Sequence, residues 1–182
     1  AMADAVRGAK PPRLHRGRIV VPAQHEAPHP APHRPPSTFA EKLAGGEFVH
    51  VVQLDPPKGT NSDRLLAAAG SMARQPRLDA VDINSNPLAR LRMDSLWLAA
   101  EVQRTAGIDA IAHITPRDAS LMGLESHLVG AWRAGVRNVL AITGDPSQLG
   151  DYPGVHDVYH VDIFELVRAI SRMAEGVDCA GN

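Results

Sequence analysis

The apolar run Val139-Leu140-Ala141-Ile142 stops abruptly at Thr143-Gly144-Asp145-Pro146. A buried parallel strand ending in this way delivers a hydroxyl, a bare backbone and a carboxylate to the carboxyl edge of a sheet. That edge is where α/β barrels and open sheets bind ligands. A glycine there lets a flat ligand approach the main chain, and the aspartate offers a fixed charge. Gly-Asp-Pro is also good turn chemistry, so a plain strand-to-loop turn competes with this reading. Three further runs end in polar clusters: Asp55 onward, Asn84-Ser85-Asn86, and Thr115-Pro116-Arg117-Asp118. His113 lies two residues before the last of these, as a site residue or a satisfied core histidine.

The elements that must position these groups alternate from Ser37 onward. Ser37-Thr38 caps a short helix through Leu43, with Glu41 at capping-box spacing from Thr38. Phe48 to Leu54 reads as strand one. Ser62 caps a helix carrying Leu65, Leu66, Ala69 and Met72 on one face. Asp79 to Ile83 is strand two, and a helix from about Leu88 to Thr105 closes at Gly107. Asp109 to Ile114 is strand three, with a helix over Ala119 to Ala134 ended by Gly135. Arg137 to Ile142 is strand four. Asp162, with Glu165 three residues on, forms a capping box for a last helix closed by Gly176. Strand–helix alternation at this spacing means parallel βαβ units. No G-x-G-x-x-G or Walker loop is present, which counts against a nucleotide-binding doubly wound domain. Polar clusters at every strand end suit a barrel whose loops share one site. The expected fold is therefore α/β, the N-terminal half of a (β/α)₈ TIM barrel built from four strand–helix units. It is expected to be cut before strand five and preceded by a disordered Pro/His-rich tail.

Composition sets the boundaries. The 182 residues are 44% hydrophobic and only 4% aromatic, so Leu, Val, Ile and Ala must build the core. Residues 1–37 hold six basic and two acidic side chains; residues 38–182 hold thirteen basic and eighteen acidic. The net charge of −1 gives no general pull toward nucleic acid or anionic membrane. Cys179 is the single cysteine, which excludes an internal disulfide and points to a reducing compartment. No apolar run approaches a membrane span and no signal pattern opens the chain, so a cytoplasmic protein is expected. Eight of the fifteen prolines lie between Pro11 and Pro36, and residues 1–36 read as a mobile linker, its start belonging to an upstream domain. His25-Glu26-Ala27-Pro28-His29 matches the zinc-protease pattern, but Pro28, Pro30 and Pro32 forbid the helix it needs. No metal site is expected.

Several of these motifs occur together, in order, at matching strand ends: Asp55-Pro56-Pro57-Lys58-Gly59-Thr60, Pro87-Leu88-Ala89-Arg90-Leu91-Arg92-Met93, His113-Ile114-Thr115, Thr143-Gly144-Asp145-Pro146 and Gly150-Asp151-Tyr152-Pro153. In them the chain resembles methylenetetrahydrofolate reductase over residues 37–182. More closely, it resembles the reductase half of bacterial bifunctional proteins that join this enzyme to a homocysteine S-methyltransferase. The resemblance implies FAD as cofactor, NADH or NADPH as hydride donor and a folate substrate, in one-carbon metabolism and methionine biosynthesis. It also implies an upstream methyltransferase domain; a homo-oligomer is left open. It lays Thr143, Gly144 and Asp145 against the flavin, with Asp145 near the reactive ring. It makes His113 a flavin contact, puts Tyr159 and His160 on a cofactor-touching loop, and gives Asn84, Ser85 and Pro87 the loop shared by flavin and nicotinamide.

One position departs from the family pattern. Where the family carries its general-acid glutamate on strand one, this chain has Gln53. An amide has no proton to donate near neutral pH. The resemblance therefore implies that reduction of the flavin survives while the folate half-reaction is impaired. Two competing readings stand beside this one. The first is a non-catalytic half-barrel, a pseudoenzyme serving as an interaction module. The second is a lyase using loop carboxylates, although no lysine stands at a strand end to form a Schiff base. Trp97 and Trp132, in helical apolar patterns, are expected in the core or an interface.

Overall fold

The computed structural model describes residues 37–182. The tail and linker expected over 1–36 lie outside the described residues. Five helices and four strands follow in order: α1 Thr38–Ala44, β1 Val51–Leu54, α2 Asp63–Met72, β2 Ala80–Ile83, α3 Ser95–Ala106, β3 Asp109–Ile114, α4 Leu121–Ala134, β4 Asn138–Ala141 and α5 Ile163–Ala174. The strands form one sheet in the order β1-β2-β3-β4, every neighbour parallel. Each crossover carries a helix. A doubly wound sheet reverses its strand order at a switch point; this sheet runs on in sequence, as a segment of a barrel wall does. Among the described residues no helix is long and apolar enough to cross a membrane.

Register divides the sheet into two faces, because side chains alternate along a strand and register partners point the same way. Val81 and Ile83 of β2 and Ala110, Ala112 and Ile114 of β3 are buried under the helices. They pack with Leu98, Ala99 and Val102 of α3, Leu121 and Leu124 of α4, and Leu166 and Ala169 of α5. The opposite face is concave and open. Val51, Asp82, Ile111 and Leu140 line its groove, closed at one end by Phe39 and Leu43 of α1. Here Val51 and Leu140 stay 39% and 44% exposed.

α1 is tied to the amino-terminal edge of the sheet. Phe39 N donates to Asp109 Oδ2 (2.8 Å), Ser37 Oγ donates to Asn138 Oδ1 (3.0 Å), and Lys42 pairs with Asp79. The polar ends of three strand starts thus find partners on one short helix, leaving the carboxyl edge free for other work.

Several expected boundaries differ. Of the expected pair Ser37-Thr38, Ser37 caps α1, accepting from Ala40 N, and Thr38 is the first helical residue. Strand one starts at Val51, because its partner strand begins at Ala80; Phe48 lies outside it, 84% exposed. Ser62 occupies the cap position of α2 without a capping side-chain bond; Asn61 Oδ1 accepts from Asp63 N instead. α4 begins at Leu121, with Ser120 accepting from Gly123 N. Trp97 and Trp132 are on the surface, 53% and 42% exposed, and the Arg137 guanidinium stacks 3.9 Å from the Trp132 ring centre. The capping box of Asp162 and Glu165 forms as expected.

The largest difference is at the second helix. It starts at Ser95, not Leu88. Pro87–Ala89 is a single 3₁₀ turn, and Asn86, Leu88 and Ala89 have φ of 41°, 56° and 52°. Left-handed backbone cannot enter an α-helix. Asp94 then caps α3 through Trp97 N at 2.7 Å.

Candidate functional site

The carboxyl edge of the sheet collects the polar groups into two connected clusters. The first is built by strand alternation. Gln53 is in register with Asp82, and Asp82 with Ile111. Two residues further along the same face come Asp55, Asn84 and His113. Asp55 Oδ1 accepts from Asn84 Nδ2 at 3.0 Å. Asn84 Oδ1 lies 3.1 Å from His113 Nδ1. His113 Nε2 lies 2.6 Å from Asp82 Oδ1. Those last two atoms are buried, and despite their closeness neither has a hydrogen-bond partner among the described residues, so the pair meets without hydrogen-bond alignment. Ser95 Oγ donates to the His113 carbonyl at 2.6 Å, which ties the start of α3 to the end of β3.

The second cluster surrounds the loop after β4. Gly144 has φ +83°, and a Cβ there would fall 2.5 Å from Thr115 Oγ1. Thr115 Oγ1 donates to the Thr143 carbonyl at 2.8 Å and accepts from Arg117 N at 3.1 Å. Arg117 is 2% exposed. Its Nε and one terminal nitrogen fork onto Asp118 at 2.7 and 2.6 Å, and the other reaches the Asp145 carbonyl at 2.8 Å. The hydrogen bond to Asp118 raises the guanidinium's pKa further above its already high value. Burial pushes the Asp118 carboxyl up, but bonds from Arg117 and Asn86 outweigh this and hold it below the usual range. Tyr159, at φ 38°, reaches the Gly144 carbonyl with its hydroxyl at 3.4 Å. Burial, then the nearby Asp157 charge, raises the Tyr159 phenol's pKa.

The loop after β2 joins the clusters. Asp145 Oδ2 accepts from Leu88 N at 2.8 Å, and Asp151 Oδ2 accepts from Leu91 N at 2.9 Å. Asn86 accepts from Arg92 N at 2.8 Å and donates to Asp118 at 3.3 Å. These bonds take up main-chain donors that the left-handed turn cannot use in a helix.

The structure therefore brings together Asn84 and His113 directly. It also joins Thr143, Gly144, Asp145 and Tyr159 around Arg117, and places the turn that begins at Pro87 against Asp145. Ser85 sits half-buried between the clusters. Gln53 is on the open concave face beside the strand that carries Asp82. His160 is exposed beyond Tyr159 and makes no hydrogen bond to the other described residues. Asp145 is not simply a free charge: one oxygen pins the neighbouring loop through Leu88 N. Sequence reasoning passed over Asp82. Its signal was a carboxylate in the middle of an otherwise apolar strand, Ala80-Val81-Asp82-Ile83.

Consecutive parallel βα units with a shared polar edge define an α/β domain built like part of a barrel wall, with its polar clusters on the strand-end loops. The family model for methylenetetrahydrofolate reductase matches residues 38–181, and the chain belongs to that family. A 5,10-methylenetetrahydrofolate reductase from Pectobacterium carotovorum subsp. carotovorum is 28% identical over 96 residues, covering 53% of this chain and 30% of that protein. The match spans less than a third of the relative's length.

Proposed function

We propose that the chain supplies the first part of a flavin-dependent methylenetetrahydrofolate reductase site, using FAD with NADH or NADPH and a folate substrate. The observation that carries this is the carboxyl-edge loop set: a bare Gly144 main chain, an exposed Thr143, and the Asn84–His113 wall beside it. This set has the chemistry for one side of a flat, polar-edged ring. Gly144 carries no side chain, and its left-handed backbone is held by close packing of its main chain against Thr115. Asn84, Thr143 and Tyr159 offer amide and hydroxyl groups. His113 contributes ring surface rather than a free donor, because both its nitrogens already face protein oxygens. When bound, the flavin carries the hydride between the two substrates. The chain's own work is to orient it, to fix Asp145 near it, and to hold the loop over Pro87–Ala89 in place.

Gln53 stands where the family's acid is expected and holds no transferable proton. That favours a site in which flavin reduction by NAD(P)H is intact and folate reduction is slow. It equally supports the second reading, a non-catalytic half-barrel acting as an interaction module. An upstream homocysteine methyltransferase domain and a cytoplasmic setting belong to the same proposal. The test is the visible spectrum of the full-length protein with and without added FAD. Uptake with flavin absorbance is expected for the reductase reading. A protein that takes up none overturns it and leaves the module reading.

A further inference from the structure

The structure assigns Arg117 as the positioning residue for Asp145: its buried guanidinium, gripped by Asp118, holds the Asp145 main-chain carbonyl and so sets where the carboxylate of that residue stands. The task needs a forked side chain, and a lysine cannot perform it. The inference deepens the proposed flavin reading and rests on it only for the ligand that this carboxylate faces.

Two anchors fix the guanidinium. At the main chain, Arg117 N donates to Thr115 Oγ1 at 3.1 Å, and the Arg117 carbonyl accepts from Val158 N at 2.8 Å. At the tip, Nε and one terminal nitrogen hold both oxygens of Asp118, at 2.7 and 2.6 Å. A two-point grip of this kind sets the plane of the guanidinium as well as its place. Asn86 of the loop after β2 donates to Asp118 at 3.3 Å and steadies the grip from the other side. The remaining terminal nitrogen is thereby aimed at the Asp145 carbonyl, 2.8 Å away.

That bond completes a series. The carbonyls of three consecutive residues, Thr143, Gly144 and Asp145, accept from Thr115 Oγ1 at 2.8 Å, from Tyr159 Oη at 3.4 Å and from Arg117. Thr115 and Tyr159 offer hydroxyls, which turn to suit a shifted partner. The donors of Arg117 are fixed in a plane, so Arg117 is the member of the three that dictates position. With the Asp145 main chain held, its side chain reaches Leu88 N at 2.8 Å. Asp118 and Asp157 also act on the Arg117 charge. A neutral replacement would therefore alter charge and aim together. A lysine separates the two, because it keeps the charge and loses the fork.

The test is hydrogen exchange at the Leu88 amide in the full-length protein. In Arg117→Lys this amide is expected to exchange about ten-fold faster than in wild type, as when a hydrogen bond to a charged group weakens. The Val102 amide of α3 is expected to keep its rate. The core truncation Leu124→Ala should do the reverse, since it acts through the buried core. Added to Asp145→Ala, Arg117→Lys is expected to change Leu88 no further. Additive effects, or an unchanged Leu88 in a folded Arg117→Lys, overturn the assignment. Should that variant not fold, Asp118→Ala loosens the same fork at a side chain 44% exposed, and an unchanged Leu88 there overturns it too. FAD titration of the same proteins gives the second readout. Affinity is expected to fall about ten-fold in Arg117→Lys and to hold in Leu124→Ala. Equal affinity in wild type and Arg117→Lys overturns the assignment. A wild type that takes up no FAD overturns the flavin reading alone, because the exchange readout needs no ligand.

Discussion

The Asp145 carboxylate accepts a 2.8 Å hydrogen bond from the main-chain N–H of Leu88, a residue held at φ 56°. A side chain from the loop after β4 thereby stabilises a left-handed turn in the loop after β2. Asn86 and Ala89 flank Leu88 in the same backbone region. Non-glycine residues there cost on the order of 1–3 kcal/mol each and persist only where the surroundings hold them. The residue with the strongest claim to ligand chemistry also maintains the shape of the neighbouring loop.

Replacing it should therefore loosen that loop before any chemistry is measured. In Asp145→Ala the Leu88 amide is expected to lose protection from hydrogen exchange by about 1.5–3 kcal/mol, the worth of a hydrogen bond to a charged group. Amides in α3 are expected to change little. Equal exchange at Leu88 in wild type and variant would show that the turn holds itself.

Two glycine substitutions should act in opposite directions. Gly150 has its missing Cβ directly against the Ala89 carbonyl oxygen, and Gly130 in α4 has open space around it. Gly150→Ala must displace backbone and is expected to destabilise by about 1–3 kcal/mol, as overpacking does. Gly130→Ala is expected to stabilise by about 0.5–1 kcal/mol through helix propensity. Urea unfolding midpoints decide the pair; a neutral Gly150→Ala would mean the two loops can move apart freely.

Gln53→Glu should speed only the step in which reduced flavin is reoxidised by methylenetetrahydrofolate. A positioned general acid contributes about 10²–10⁴-fold. Since position 53 is in register with Asp82, the new carboxylate also meets a like charge and is expected to lower stability by roughly 0.2–1 kcal/mol. Anaerobic stopped-flow separates the half-reactions through flavin bleaching and recolouring. Wild type recolouring as fast as the variant contradicts the role given to this position.

Cys179 should be inert in the folded protein. Burial, then its contact with Glu125, pushes the thiol up to about 12. The folded value lies above the unfolded one, so the thiol's contribution to stability is intact below about pH 8.5 and fades as pH rises toward the folded value. Iodoacetamide modification is expected to be far slower than for a free thiol at mildly alkaline pH, and to become rapid on adding denaturant. Rapid modification of the native protein would place the thiol in water.

The helix–strand order was legible from local signals alone. Gly107 and Gly135 end their helices in left-handed conformation, and Asp162 with Glu165 opens α5 with a capping box. These are short-range effects, written into neighbouring residues. Alternation along β2 likewise places Asp82 and Asn84 on one face whatever surrounds them.

What only the tertiary structure decided depends on register and on contacts between loops. Periodicity carries the helical pattern back to Leu88, but the main-chain donors of Leu88 and Leu91 find Asp145 and Asp151, 57 and 60 residues away in sequence. Those bonds hold the turn out of the helix, so α3 starts at Ser95. In the same way, no spacing within one strand says that His113 meets Asp82. That contact exists because β2 and β3 pair with Asp82 opposite Ile111, two residues before the histidine. The sequence by itself determines which residues reach the carboxyl edge; the pairing of strands and loops decides which of them touch.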